Sequence, residues 1–267
     1  MVTLELGSAN GIMDLRKEYI NGLSQAQELY NEMMLRDATP YMIMVDVNEA
    51  GYLFLEGSRL LEFHLRSEHV PDASEIFGTV LRELNVKKAV CQSFDHLFLS
   101  QCILHKKRMK VMGYLFREMI APEEPIEDKG LAFRTAGSED LGLIEKFRDG
   151  IFDDNEVKEI PYWIKKGSIM IFECGGNEFI GYGIFNRTVK EKEWYDVGMY
   201  VSPRHRKKGF GAYIVDRMIK HVEGMGGVPN AGCDVNNEAS KRTLERAGFI
   251  SKHLILEFVF PRIPDPV

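Results

Sequence analysis

The sequence predicts an α/β (α+β) chain of two similarly built domains, each a mixed, mostly antiparallel sheet flanked by helices. Three observations lead there. The chain is 267 residues long, which suits two medium domains better than one. Its apolar positions switch between the two-residue period of strands and the helical period, in the order helix, three strands, helix, strand, helix, strand. That order occurs twice. Between the two runs lies Ala121-Pro122-Glu123-Glu124-Pro125-Ile126-Glu127-Asp128-Lys129-Gly130, whose prolines and acids suit a solvated, semi-rigid connector. The expected division is therefore 1–120, a linker at 121–130, and 131–267.

In the first run, residues 12–36 have Leu15, Tyr19, Leu23, Ala26, Leu29, Tyr30 and Met33 on or near one helical face. Extended runs follow at Tyr41–Val47, Gly51–Glu56 and Leu60–Leu65, joined by turn-forming residues at 48–51 and 56–58. Asp72 to Leu84 reads as a helix with Ile76, Phe77, Val80 and Leu81 on one face and an Asp72/Glu75 capping pattern. Then come a strand at Val86–Cys91, a helix at about Asp95–Lys106 and a strand at Lys110–Arg117.

The second run opens with a strand at Leu131–Arg134 and a helix capped by Ser138. A short helix broken at Pro161 is expected within Asp153–Lys166. Strands at Ile169–Glu173 and Glu178–Asn186 pair around Gly175-Gly176-Asn177. Pro229–Val235 is a strand, Asn237–Ala247 a helix and Phe249–Phe260 the closing strands; the proline-rich tail 261–267 is loose. Faint matches between the halves, such as Ala89-x-Cys91 with Ala231-x-Cys233, support an internal repeat.

The chain is organised around the stretch 193–224. Trp194 to Val201 is a strand rich in aromatic and β-branched residues, ended by Pro203. Arg206-Lys207-Lys208-Gly209-Phe210-Gly211 follows, and a helix starts there with Phe210, Ile214, Val215, Met218, Ile219 and Val222 on its apolar face. A helix N-terminus offers unpartnered N–H groups and partial positive charge. Glycines let an anion approach those amides closely, and three cationic residues stand beside them, so the loop suits a diphosphate. The glycine spacings of a nucleotide P-loop and of a dinucleotide fingerprint are both absent. In the first half the corresponding residues 66–72 have no glycine pair, and Pro71 has no N–H to give. Asp72 and Glu75 are expected to occupy the helix amides, so this half is expected not to bind the same anion.

Composition bounds the rest. Hydrophobic residues make up 45% and charged residues 28%, as in ordinary soluble globular proteins. Cys91, Cys102, Cys174 and Cys233 are scattered, which points to reduced thiols and a cytoplasmic location. The seven histidines form no ligand-spaced cluster, so no metal is expected. Neither a signal segment nor an apolar run of about 20 residues is present, so no membrane partner is expected. The net charge of −6 argues against nucleic acid as a partner, despite the basic run Arg204–Lys208.

The R-x-x-G-x-G of Arg206–Gly211 after an apolar strand resembles the acyl-CoA signature of the GNAT acetyltransferase superfamily. Asn237, Ser240, Leu244 and Ala247-Gly248-Phe249 resemble its later N-x-x-[AS] and G-F segment. The resemblance covers about residues 131–260. It implies tandem GNAT-like domains, the first degenerate, and an acetyl-CoA-dependent N-acetyltransferase in the second. The acetyl group would pass to a primary amine, on a small molecule or a protein, by direct attack in a ternary complex. It further implies that Arg206, Lys207, Lys208, Gly209, Phe210, Gly211 and Ala212 hold the diphosphate, and that Met199, Tyr200 and Val201 flank the pantetheine. Asn237 and Ser240 would hydrogen-bond the cofactor, although helix capping also suits Asn237.

For the proton transfers the sequence offers Asp196 and Asp234 as bases, with Glu193 behind them, and Ser240 at the catalytic end. The tyrosine that many family members use as acid is Leu244 here, leaving Tyr195, Tyr200 and Tyr213 unranked. Asp153, Asp154, Glu156 and Glu159 lie where the superfamily shapes its acceptor side, and carboxylates there would attract a cationic amine. The missing tyrosine also admits a rival reading, an acyl-CoA-binding regulatory or sensor protein without turnover. A homodimer is compatible with either.

Overall fold

One order of elements occurs twice. In the computed structural model, which describes residues 1–8, 10–122, 124–147, 154–176 and 178–261, the first run is β1 (Val2–Leu6), α1 (Met13–Gly22), α2 (Leu29–Leu35), β2 (Thr39–Val45), β3 (Asn48–Glu56), β4 (Arg59–Leu65), α3 (Ala73–Glu83), β5 (Lys88–Gln92), α4 (His96–His105) and β6 (Arg108–Met119). The second is β7 (Ala132–Thr135), α5 (Leu141–Lys146), α6 (Asp154–Lys165), β8 (Ile169–Cys174), β9 (Glu178–Arg187), β10 (Trp194–Val201), α7 (Phe210–Gly224), β11 (Val228–Asp234), α8 (Glu238–Arg246) and β12 (Phe249–Val259). Asp153, Asn177 and the tail beyond 261 lie outside the described residues, as do the side chains of Asp154 and Glu156. No described helix is long and apolar enough to cross a membrane.

The chain divides into two compact units that do not follow a linear cut. The first comprises Met1–Leu115, Asp234–Asn236 and Lys252–Val267; the second comprises Phe116–Cys233 and Asn237–Ser251. The reason lies in the last strand. Ile255 to Val259 of β12 pair antiparallel with Gln92 to Lys88 of β5, so the C-terminal strand completes the sheet of the first unit.

In the first unit β1, β2, β3 and β4 pair antiparallel in sequence, and β4 then pairs parallel with β5. The apolar face of α3 (Ile76, Phe77, Val80, Leu81) covers this sheet, with Phe77 edge-on to Phe63 at 5.0 Å between ring centroids. Each such side chain contributes roughly 1.5–3 kcal/mol when fully buried. In the second unit β7, β8, β9 and β10 pair antiparallel, and β10 pairs parallel with β11. Ile214, Val215, Met218, Ile219 and Val222 of α7 are buried.

The repeat extends to a backbone detail. Gly51 of β3 lies opposite Leu65, the last residue of β4, and Gly181 of β9 lies opposite Val201, the last residue of β10. A Cβ at Gly51 would sit 2.0 Å from the His64 carbonyl oxygen, and one at Gly181 would sit 2.0 Å from that of Tyr200. Both hairpins therefore require a residue without a side chain at the same structural position.

The structure corrects several expectations. The single helix at 12–36 is two, because Leu23 is extended and Glu28 starts a new helix by accepting from the Asn31 N–H at 2.8 Å. The strand β1 precedes them, where no strand was expected. Asp72 makes no side-chain cap; a 3-10 turn at Ser67–Asp72 leads into α3, and Val70 accepts from the Ala73 N–H. Backbone, not carboxylate, thus occupies that helix end. Ser138 does not cap either: Asp140 accepts from the Gly137 N–H at 2.8 Å and pairs with Arg134. Helix α6 continues through Pro161, anchored by buried Ile160 and Trp163 on either side.

The interior of the first unit holds a polar cluster that periodicity could not reveal. Arg16 lies 2.6 Å from Glu32 and 3.3 Å from Glu62. Glu62 is fully buried and also accepts from Tyr52 and Gln27, each at 2.8 Å. The Tyr19 hydroxyl donates to buried Asp95 at 2.8 Å.

Candidate functional site

The second unit's parallel pairing is short. β10 and β11 match over Trp194–Val228, Tyr195–Pro229 and Asp196–Asn230, and the register stops there. β10 goes on to Val201, still paired with β9 on its other side. Five residues of β10, about 17 Å of strand, therefore present an edge toward the diverging β11. An extended ligand with amide groups can add to such an edge as a further strand.

Alternation along β10 sorts its side chains. Met199 lies opposite Gly183 and Val201 opposite Gly181; Gly183 lies against Met218 and Ile214 of α7, and Gly181 against Ile214. Asp196 and Tyr200 therefore point to the other sheet face. There Tyr200 is stacked on Tyr182 with ring centroids 5.2 Å apart, and Phe147 lies 5.9 Å from Tyr200. On the same face Asp196 is flanked by Asn186 across β9 and by Asn230 across β11. Asn230 is 1% exposed, yet neither of its side-chain amide atoms has a hydrogen-bond partner among the described residues, and the Asn186 amide nitrogen has none. Such orphans cost about 1–3 kcal/mol each. A row of hydrogen-bonding groups at the point of strand divergence is the chemistry needed to hold a polar reactant.

Past Val201 the chain makes a 3-10 turn at Pro203–His205 and reaches the glycine loop. Lys207 (φ 61°) and Gly209 (φ 84°) are both left-handed. Gly209 is the N-cap of α7, no side chain caps the helix, and the Tyr213 N–H bonds the Gly209 carbonyl. The amides of Phe210, Gly211 and Ala212 thus precede the first helical bond, and alternating backbone hand turns loop amides into an anion-binding concavity. Gly211 has its own constraint: a Cβ there would come within 2.9 Å of Thr243 on α8. Arg206 does not join the other cations. Its Nε donates to the Val201 carbonyl at 3.1 Å, and its guanidinium lies over the Tyr200 ring at 5.7 Å.

A cavity of about 270 Å³ opens beside this loop, lined by Ile126, Glu127, Lys129, Lys207, Lys208, Gly209, Ala212 and Arg246. Residues expected as solvated linker are therefore part of the site. Lys129 Cε stands 3.3 Å from where a Gly209 Cβ would be. Among the sequence candidates, the loop residues 206–212 and the strand residues 199–201 are brought to the open edge and its end.

The proton-transfer candidates are dispersed. Asp234 lies four residues beyond Asn230, about 13 Å further along β11; it is exposed and accepts from the Asn236 N–H at 2.7 Å. The Asn237 side chain caps α8 by accepting from the Ser240 N–H at 3.0 Å, and Ser240 is half-buried in that first turn. Tyr213 is buried and donates to Asp128; burial, with the Asp128 charge adding, holds its hydroxyl above the usual tyrosine range. Glu193 pairs with Arg187, and the Tyr195 hydroxyl lies 3.5 Å from it. Glu159 is half-buried on α6. Asn186, Asn230, Lys129 and Arg246 were not singled out by sequence. Their places depend on register and on segments far apart in the chain.

Comparison with known proteins supplies the family. Residues 8–119 match the model of an acetyltransferase (GNAT) domain, and residues 141–249 match the model of the acetyltransferase (GNAT) family. An uncharacterized N-acetyltransferase of Bacillus subtilis (strain 168), YjdG, is 28% identical over 138 residues, covering 49% of this chain and 77% of that protein. A GNAT-family acetyltransferase from Colwellia psychrerythraea has the same fold at a TM-score of 0.84 and 19% identity, covering 98% of this chain and 100% of its own. A tandem GNAT protein from the clavulanic acid biosynthesis pathway superposes at 0.59 and 10% identity, with both chains fully covered.

Proposed function

Because the chain belongs to the GNAT acetyltransferases in both halves, and acetyl-CoA is that family's acyl donor, we propose that its second unit transfers an acetyl group from acetyl-CoA to a primary amine in a ternary complex. The observation that carries this reading is the divergence of β10 from β11 after Asp196–Asn230, with the uncapped α7 amides at the far end of the open edge. The loop amides of residues 207–212 take the diphosphate. The pantetheine arm pairs with β10 along Met199 to Val201, which brings the thioester toward Asp196.

The nitrogen of a neutral amine attacks the thioester carbonyl carbon, and a strand N–H stabilises the tetrahedral oxyanion. The C–S bond then breaks, and the proton from nitrogen goes to Asp196, directly or through water, while the CoA thiolate leaves. Asp234 and Ser240 serve structural turns in this reading, and the acceptor is a small-molecule or protein amine. The first unit has no uncapped glycine loop at α3 and acts as a scaffold.

The test is calorimetric titration with acetyl-CoA, repeated for Gly209→Trp, followed by thiol release across a panel of polyamines, aminoglycosides and lysine peptides. Saturable binding lost in the variant and amine-dependent thiol release are expected. Binding without release from any amine would favour a sensor; no binding would overturn the donor assignment.

A further inference from the structure

The cation-lined cavity beside the glycine loop is assembled from three separate segments. Lys207 and Lys208 come from the loop, Lys129 from the linker and Arg246 from the last turn of α8. Among the described residues, Lys207, Lys208 and Arg246 are in no ion pair. Lys129 is paired with Glu127, which lines the same cavity. Four cations thus face one carboxylate, an excess that a soluble protein ordinarily disperses unless an anion neutralises it. Hydrogen bonding by Lys129 holds the Glu127 carboxyl below the usual range, and the Arg246 charge adds to this. The linker carboxylate therefore lies in the field of two of the cavity's cations.

We propose that Lys129 and Arg246 bind a phosphate of the nucleotide end of the acyl-CoA, and that Glu127 holds their place until the cofactor displaces it. The inference rests on the acyl-CoA reading above and adds a gate to it. Lys129 lies across Gly209 at 3.3 Å from the Cβ position, so its ammonium can follow an incoming anion without the backbone moving. Arg246 offers a planar fork suited to phosphate oxygens. A phosphomonoester carries about −1.5 to −2 charges at neutral pH, more than the carboxylate it replaces, so the exchange is electrostatically favourable. The bond broken is the Glu127–Lys129 ion pair, and the linker at 126–129 is the part freed.

The experiment is calorimetric titration of the full chain with CoA and with dephospho-CoA, for wild type, Lys129→Ala, Arg246→Ala and Glu127→Gln, with thermal melts to confirm folding. Lys129→Ala and Arg246→Ala are each expected to weaken CoA about five- to tenfold. Glu127→Gln is expected to tighten it about threefold. If the lysine and arginine effects vanish with dephospho-CoA, the 3′-phosphate is the partner; if they persist, it is the diphosphate. Wild-type affinity for CoA in all three folded variants would overturn the inference while leaving the acyl-CoA reading intact. Weaker binding by Glu127→Gln would overturn the placeholder role. Failure of the wild type to bind CoA at all would instead sink the reading on which both depend.

Discussion

Asp196 and Asn230 form the last matched pair between β10 and β11, and beyond them the two strands separate. This places a carboxylate beside a buried carboxamide that has no hydrogen-bond partner among the described residues, at the apex of the opening. Asn230→Leu should raise the stability of the ligand-free protein by about 1 kcal/mol, because a nearly isosteric apolar group removes an unsatisfied buried one. The same variant should lose amine turnover. A melting temperature raised by a few degrees together with a fall in kcat/KM would support a polar group kept for function; higher stability with unchanged turnover would not.

Asp196 and Asp234 should separate kinetically. Asp196→Asn is expected to lower kcat by about 100-fold or more, as for loss of a general base, and to flatten the acidic limb of the pH–rate profile. Asp234→Asn should stay within about threefold, since its carboxylate serves the turn at Asn236. The reverse pattern would move the base to the end of β11.

The two hairpin glycines make a paired prediction. Gly51→Ala and Gly181→Ala each place a methyl group 2.0 Å from a carbonyl oxygen of the neighbouring strand. Each should cost about 2 kcal/mol or more, at the upper part of the overpacking range because backbone must yield. Denaturant midpoints of the two variants would check it, and an unchanged midpoint in either would contradict the shared constraint.

The first unit should lose stability as pH rises. Burial pushes the Glu32 carboxyl up to about 7, with Arg16 offsetting part of this and Glu62 adding to it; burial also pushes Asp95 up to about 6. Between about pH 4.5 and 7 the folded cluster retains a proton that the unfolded chain has released. The contribution is therefore fully present below about pH 4.5 and is lost as pH approaches and passes 7. Guanidinium midpoints measured from pH 5 to 8 should decline, and the decline should shrink in Glu32→Gln. A midpoint that rises over that interval would contradict the buried-proton account.

Much of the site was legible locally. The strand Trp194–Val201 was read with the bounds the structure gives it, and the loop and the start of α7 were read from Arg206-x-x-Gly209-x-Gly211. The helix at 12–36 was not, because the polar contacts of Gln27 and Glu28 with Gln92 and Glu62 interrupt an otherwise periodic pattern. Pro161 misled for the opposite reason, since packing at Ile160 and Trp163 outweighs one lost backbone bond.

The sequence by itself determined the order of most elements after residue 36, the repeat, and the glycine loop at a helix start. These follow from short-range rules: periodicity, backbone freedom and missing N–H partners within a few residues. Only the tertiary structure decided which side chains meet. The row Asn186–Asp196–Asn230 depends on the register of three strands, and the cavity depends on Lys129, Lys208 and Arg246 converging from a linker, a loop and a helix end. The pairing of β12 with β5 joins residues about 165 apart in sequence. Nothing local encodes such matches; they are set where burying the apolar faces and pairing the backbone leave one register that satisfies both.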